Sequence, residues 1–163
     1  MFQISLTLHI LAAMVWIGGM LFLALVIVPA TRGLPPRERA RFFDIVGRRF
    51  RFVGWISVGV LIVTGTLNAG LRGITWDVIA SGAIVSSSYG QTLLAKLAVV
   101  AVMLVVTAQH DFVVGPASTR AAIEDAPELP RLRRQSSALA RAGGILGVLV
   151  VALAVLLSRG TPP

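Results

Sequence analysis

Two ionisable side chains stand where a membrane would least tolerate charge. His9 lies five residues past Ile4 in an apolar run that reaches Val28, and Lys96 lies four past Thr92 in a run that reaches Val114. An ionisable group held inside hydrocarbon is costly, and it marks a ligand site, a charge path or a cofactor partner. Imidazole ligates copper and iron, and thioether sulfur suits copper(I). An ammonium group instead pairs with an anion. At about 1.5 Å of rise per residue, both side chains sit roughly 6 to 8 Å inside the start of their runs. Their equal depth makes them one constellation. The second histidine, His110, lies near the far end of its run, about 20 Å from His9 along the helix axes. Two axial ligands of one haem hold their nitrogens about 4 Å apart, since metal–nitrogen bonds are about 2 Å. His9 and His110 therefore cannot share one metal.

Helical spacing adds companions. His9, Ala13, Trp16, Met20 and Leu23 recur at steps of three and four, as do Lys96, Val100, Met103, Thr107 and His110. Ser57, Thr64, Asn68 and Arg72 form a third, polar stripe that ends near the level of His9 and Lys96. The expected pocket contains His9, Lys96, Asn68 and Arg72, with Met14, Met20 and Met103 as candidate thioether ligands for copper. Met, Trp16 and Trp55 also serve as ordinary packing residues, Trp76 suits an interfacial belt, and Lys96 is long enough to reach headgroups.

These residues need apolar helices to carry them. The chain has 163 residues, 56% of them hydrophobic and 13% charged, with a mean hydropathy of +0.85. A soluble domain carries about twice that charged fraction. Runs at 4–28, 52–71, 92–114 and 139–158 are each near the roughly 20 residues that cross about 30 Å of hydrocarbon. Backbone groups in lipid must bond internally, so the runs are expected to be helices. The fold class expected is all-α, an integral membrane four-helix bundle in one domain. The first run has no basic residue before Arg32 and is long, so it reads as a retained helix rather than a signal peptide.

Arginines cluster at 31–51 and 115–138, whereas the loop 73–91 and the termini carry few. Basic loops stay in the cytoplasm, which predicts N-out/C-out topology in a plasma (inner) membrane. The stretch after Pro35-Pro36 reads as an amphipathic helix that feeds the second span and attracts anionic lipids. The net charge of +8 sits in short loops between apolar runs, so no nucleic-acid partner is expected. Cysteine is absent, which excludes disulfides and thiolate chemistry. No phosphate loop or HExxH motif is present, so nothing points to an enzyme. Gly18-Gly19, the glycines of the second span and Gly143-x-x-x-Gly147 allow close helix approach, within the bundle or against a larger membrane complex.

The stretches HILAAMVWIGGMLFLALVIVPA, RRFRFVGWISVGVLIVTGTLNA and SSSYGQTLLAKLAVVAVMLV resemble three helices of the copper-resistance D (CopD-like) membrane family. That resemblance implies copper handling or transport, with His9 and the methionines as metal ligands and a periplasmic copper protein as partner. His9, Trp16, Gly19 and Lys96 are also similar to HemJ-type protoporphyrinogen oxidases. This second resemblance implies b-type haem on His9, with Lys96 or Arg72 beside its propionates. A Tyr-Arg pair that follows the Trp in that family is absent here.

Overall fold

The computed structural model describes residues 1–159. Four long helices dominate: α1 (Phe2–Ala30), α2 (Pro36–Leu71), α4 (Ser88–Glu124) and α5 (Leu129–Arg159). A short α3 (Trp76–Ala80) and one 3-10 turn (Ala83–Ser86) lie between α2 and α4. All four long helices are long and apolar enough to cross a membrane. No strand occurs among the described residues. The protein is an all-α, membrane-spanning four-helix bundle.

The helices outrun the apolar spans. α2 has 36 residues, or about 54 Å, against about 30 Å of hydrocarbon. Its amphipathic entry and its apolar half form one uninterrupted helix. α4 likewise continues through the polar residues up to Glu124, and α5 starts at Leu129. Most of the expected basic loop at 115–138 is thus helix. Asp125 adopts φ 58° to end α4. Short polar side chains tolerate that left-handed conformation best after glycine.

Of the three π turns among the described residues, two have a cause in proline. Leu23–Ile27 precedes Pro29, and His110–Val114 precedes Pro116. Proline supplies no N–H and its ring crowds the carbonyl four residues back, so the ladder widens locally. Gly115 follows the second of these turns, where a Cβ would lie 2.7 Å from the His110 carbonyl oxygen. The third π turn, Met14–Gly18, leads into the Gly18-Gly19 pair.

α1 packs on α2, α2 on the last part of α4, α4 on α5, and α5 back on α1. This is an up-down-up-down ring, and parallel helices occupy its diagonals. The described termini share one end, here the terminal end; the α1–α2 and α4–α5 turns share the other, the basic end. Each helix contributes to a core at mid-height: Trp16 and Ile17, Val58, Met103 and Val150. Met103 has no exposed surface. Glycines permit the approach. A Cβ at Gly54 would meet Trp16 Cδ1 at 3.3 Å, and one at Gly19 would collide with the Phe50 ring. A Cβ at Gly147 would meet Ile17 at 3.1 Å and Met103 at 3.4 Å. Outward-facing residues such as Leu25, Phe52, Val105 and Ile145 are apolar and exposed, as lipid-facing positions must be.

Candidate functional site

The site at the terminal end begins with α2. Thr64 is buried there, and its hydroxyl donates to the Val60 carbonyl one turn back at 2.6 Å. That bond uses its only proton. His9 Nδ1 lies 2.8 Å from Thr64 Oγ1, so Nδ1–H must be the donor and Thr64 the acceptor. Nε2 of the neutral ring then carries the lone pair and is the nitrogen able to take a metal. Gly65 makes the approach possible, since a Cβ there would stand 3.3 Å from His9 Cε1. One turn before His9 on α1, the buried Ser5 hydroxyl donates to the Thr64 carbonyl at 3.5 Å. Thr64 thus orients the imidazole, and Ser5 ties α1 to the same turn of α2.

Positive charge lies near this ring. The Lys96 ammonium is near enough for its charge to act on His9, and the Arg72 guanidinium is near enough to act on Lys96. α1 and α4 lie across a diagonal of the ring, so this influence acts across the bundle and not between packed neighbours. Equal depth made His9 and Lys96 one constellation; the ring topology sets their two helices opposite one another and not side by side. Arg72 Nη1 donates to Tyr89 at 3.4 Å, and its guanidinium lies over the Phe2 and Tyr89 rings at 5.4 and 5.9 Å. Asn68 stands one turn from Thr64, and its Oδ1 is buried without a hydrogen-bond partner. Tyr89 belongs to the start of α4, where the Ser87 side chain accepts from Gly90 N at 3.0 Å. Gly90 is required there, because any Cβ would overlap the Ile84 carbonyl.

The methionines separate. Met14 is 64% exposed on the outer surface of α1, away from His9. Met103 lies in the mid-height core. Met20 lies deeper, with its sulfur 3.9 Å from the Cβ position of Gly143. Neither reaches His9: Met20 is eleven residues further along α1, about 16 Å away in rise. Among the described residues, no three His, Asp or Glu side chains gather to hold a metal.

A second polar network lies at the basic end. Asp111 accepts from Trp55 Nε1 at 3.2 Å through one oxygen and faces His110 Nδ1 at 3.1 Å through the other. His110 Nε2 lies 3.3 Å from Ser136 Oγ. The carboxylate sets Nδ1–H as donor, as in carboxylate–histidine pairs. His110 and Asp111 stood out in the sequence only as polar residues at a helix end. Trp55 and Ser136 gave no signal of this contact, because it joins three different helices. Ser5 sits four residues before His9, and that spacing is the one clue to its role.

The family model described as copper resistance protein D matches residues 45–157. The match takes in most of α2 and all that follows to near the end of α5, and it leaves out α1 with His9. A protein of Aquifex aeolicus, titled uncharacterized, is 32% identical over 114 residues, which cover 69% of this chain and 70% of that protein. No solved structure matches.

Proposed function

Since the chain belongs to the copper resistance protein D family, we propose that it handles copper within the membrane and that His9 is the imidazole ligand at the terminal end. The supporting observation is the fixed presentation of His9. Its Nδ1 is engaged by Thr64 at 2.8 Å, so Nε2 is held ready and the entropy of orienting the ring is already lost before metal arrives. Met103 and Met20 lie progressively deeper and offer thioethers to copper(I) beyond it. Under the distribution of arginines the terminal end faces outward from the plasma membrane, so copper meets His9 first and its passage is inward. The test is copper binding by the purified protein, measured by competition with a copper(I) chelator. His9→Ala is expected to lose the site and His110→Ala to keep it. Equal binding by wild type and His9→Ala overturns this reading.

Charge favours a second reading. A bare cation beside Lys96 and Arg72 is repelled, and Asp77, the carboxylate nearest Arg72 in sequence, is exposed on α3. A metal complex that carries its own carboxylates reverses the sign of that interaction. The donor set fits b-type haem in this respect: His9 would hold the iron, Lys96 and Arg72 the acid groups, and the buried Asn68 Oδ1 lies in the same stripe. Haem would supply redox chemistry when bound. The protein expressed with haem available is then expected to show a Soret band that His9→Ala weakens and Lys96→Gln shifts or weakens. A colourless preparation that binds copper decides for the first reading.

A further inference from the structure

The basic end contains a cavity of about 1210 Å³ whose charged residues neither reading uses. Seven arginines and three carboxylates line it, contributed by α2, α4 and α5. Two of the carboxylates are already committed. Asp44 pairs with Arg48 at 2.7 Å, and Asp111 accepts from Trp55 and faces His110. Positive charge is therefore in excess inside a partly enclosed space.

Three polar groups in the cavity wall lack partners. Arg39 Nε and Arg51 Nε are buried and donate to nothing. Their guanidinium groups lie over the Phe43 and Phe112 rings at 5.5 and 5.3 Å. Stacking occupies the faces of a guanidinium and leaves its in-plane N–H groups for an acceptor. Thr107 is the third. It is only 8% exposed, it lines the cavity, and its Oγ1 is without a hydrogen bond. Four other helical threonines satisfy themselves: Thr7, Thr64, Thr66 and Thr92 each donate to the carbonyl four residues back. A buried hydroxyl without that bond costs stability unless a further partner arrives.

We propose that this cavity binds a phosphate group, carried by an anionic lipid headgroup or free in solution, with the Thr107 hydroxyl and the walls of arginine as its partners. Phosphate offers several acceptor oxygens to the donors that α2, α4 and α5 place in the cavity wall, and guanidinium matches it in charge and geometry. The opposite wall is apolar, formed by Met20, Leu23 and Val28 of α1. That wall suits the acyl chain of a lipid whose headgroup sits among the arginines. The arrangement differs from loose attraction of basic residues to a membrane surface, because Thr107 lies inside the bundle and can only reach a group that enters it.

The protein in nanodiscs of phosphatidylcholine, with or without phosphatidylglycerol, is the system to test, with bound lipid read by native mass spectrometry. Inorganic phosphate is titrated separately against the detergent-solubilised protein. Wild type is expected to retain phosphatidylglycerol over phosphatidylcholine. Thr107→Val and Arg51→Gln should each weaken retention roughly ten-fold, the usual effect of a lost hydrogen bond to a charged group. Thr107→Ser restores the hydroxyl and should restore binding, which separates a lost donor from a lost fold. Arg37→Gln, exposed and outside the cavity, should change little. Binding of inorganic phosphate with the same variant pattern, without lipid retention, assigns the site to a soluble phosphate and upholds the shared chemistry. Absence of both, or a Thr107→Val protein that binds like wild type, overturns the proposal.

Discussion

Thr64→Val is the most informative single change at the terminal end. Valine keeps the shape of threonine and removes one oxygen. That oxygen accepts from His9 Nδ1 at 2.8 Å and donates to the Val60 carbonyl at 2.6 Å. Loss of the second bond matters little, because that carbonyl keeps its helical N–H partner. Loss of the first leaves a ring N–H facing a methyl group. Such an unpaired donor costs about 1 to 3 kcal/mol when fully buried. His9 is not fully buried, so water recovers part of it and about 1 kcal/mol of stability is expected to go. The ligand effect should be larger. Removal of a group that orients a metal-binding histidine lowers metal affinity about 10- to 100-fold, equivalent to about 1.4 to 2.8 kcal/mol. The assay is chelator competition on wild type, Thr64→Val, Thr64→Ser and His9→Ala, alongside 15N spectra of labelled histidine. Wild type should show the Nδ1-protonated tautomer at His9, and Thr64→Val a mixture of tautomers. Thr64→Ser should resemble wild type. If Thr64→Val binds copper as tightly as wild type while His9→Ala does not bind, the orienting role assigned to Thr64 is wrong.

Three further outcomes can be checked. Gly147→Leu should destabilise the bundle by about 1 to 3 kcal/mol, because even a Cβ there meets Ile17 at 3.1 Å; an unchanged unfolding midpoint in detergent would contradict the packing described for Gly147. With no native cysteine to interfere, Thr75→Cys and Leu34→Cys can be probed in intact cells with an impermeant thiol reagent. Labelling is expected at Thr75→Cys alone, and labelling at Leu34→Cys alone would invert the orientation. Asp111→Ala should free Trp55 and His110 together, seen as a shift in tryptophan fluorescence; an unaltered spectrum would deny the Trp55–Asp111 bond a role in solution.

The four spans were legible because a bilayer demands long apolar runs, and that demand is written in hydropathy. The amphipathic entry to α2 was legible from Pro35-Pro36 and the charge pattern behind it. The helical rotation was not. In a soluble bundle the apolar stripe marks the inner face, but here lipid-facing and core-facing positions are both apolar. Met14 and Met103 therefore looked alike, although one faces outward and the other has no exposed surface. The π turn at Met14–Gly18 compounds this, since an extra residue per turn shifts any stripe counted at steps of three and four. The length of α4 and α5 was also hidden. Residues 115–124 and 129–138 are polar and carry no membrane signal, yet they continue as helix by packing on α2 and on each other. A polar pocket at the depth of His9 could be read from the α2 stripe, but it was assigned to Asn68 and Arg72, and Thr64 emerged as the partner of His9 only from the structure; Trp55, Asp111, His110 and Ser136 could not be joined without coordinates.

The core formed by Trp16, Ile17, Val58, Met103 and Val150 separates the two polar regions with side chains from all four helices. In electrical terms it is a dielectric septum. The membrane potential falls across low-dielectric material, so most of it drops between the level of His9 and the cavity beneath Met20. A monovalent cation carried from one to the other would cross nearly the whole voltage, with about 2.3 kcal/mol released per 100 mV in the inward direction. Copper movement through this bundle would therefore be voltage-driven and would require the septum to part. Proteoliposomes without copper should hold an imposed potential.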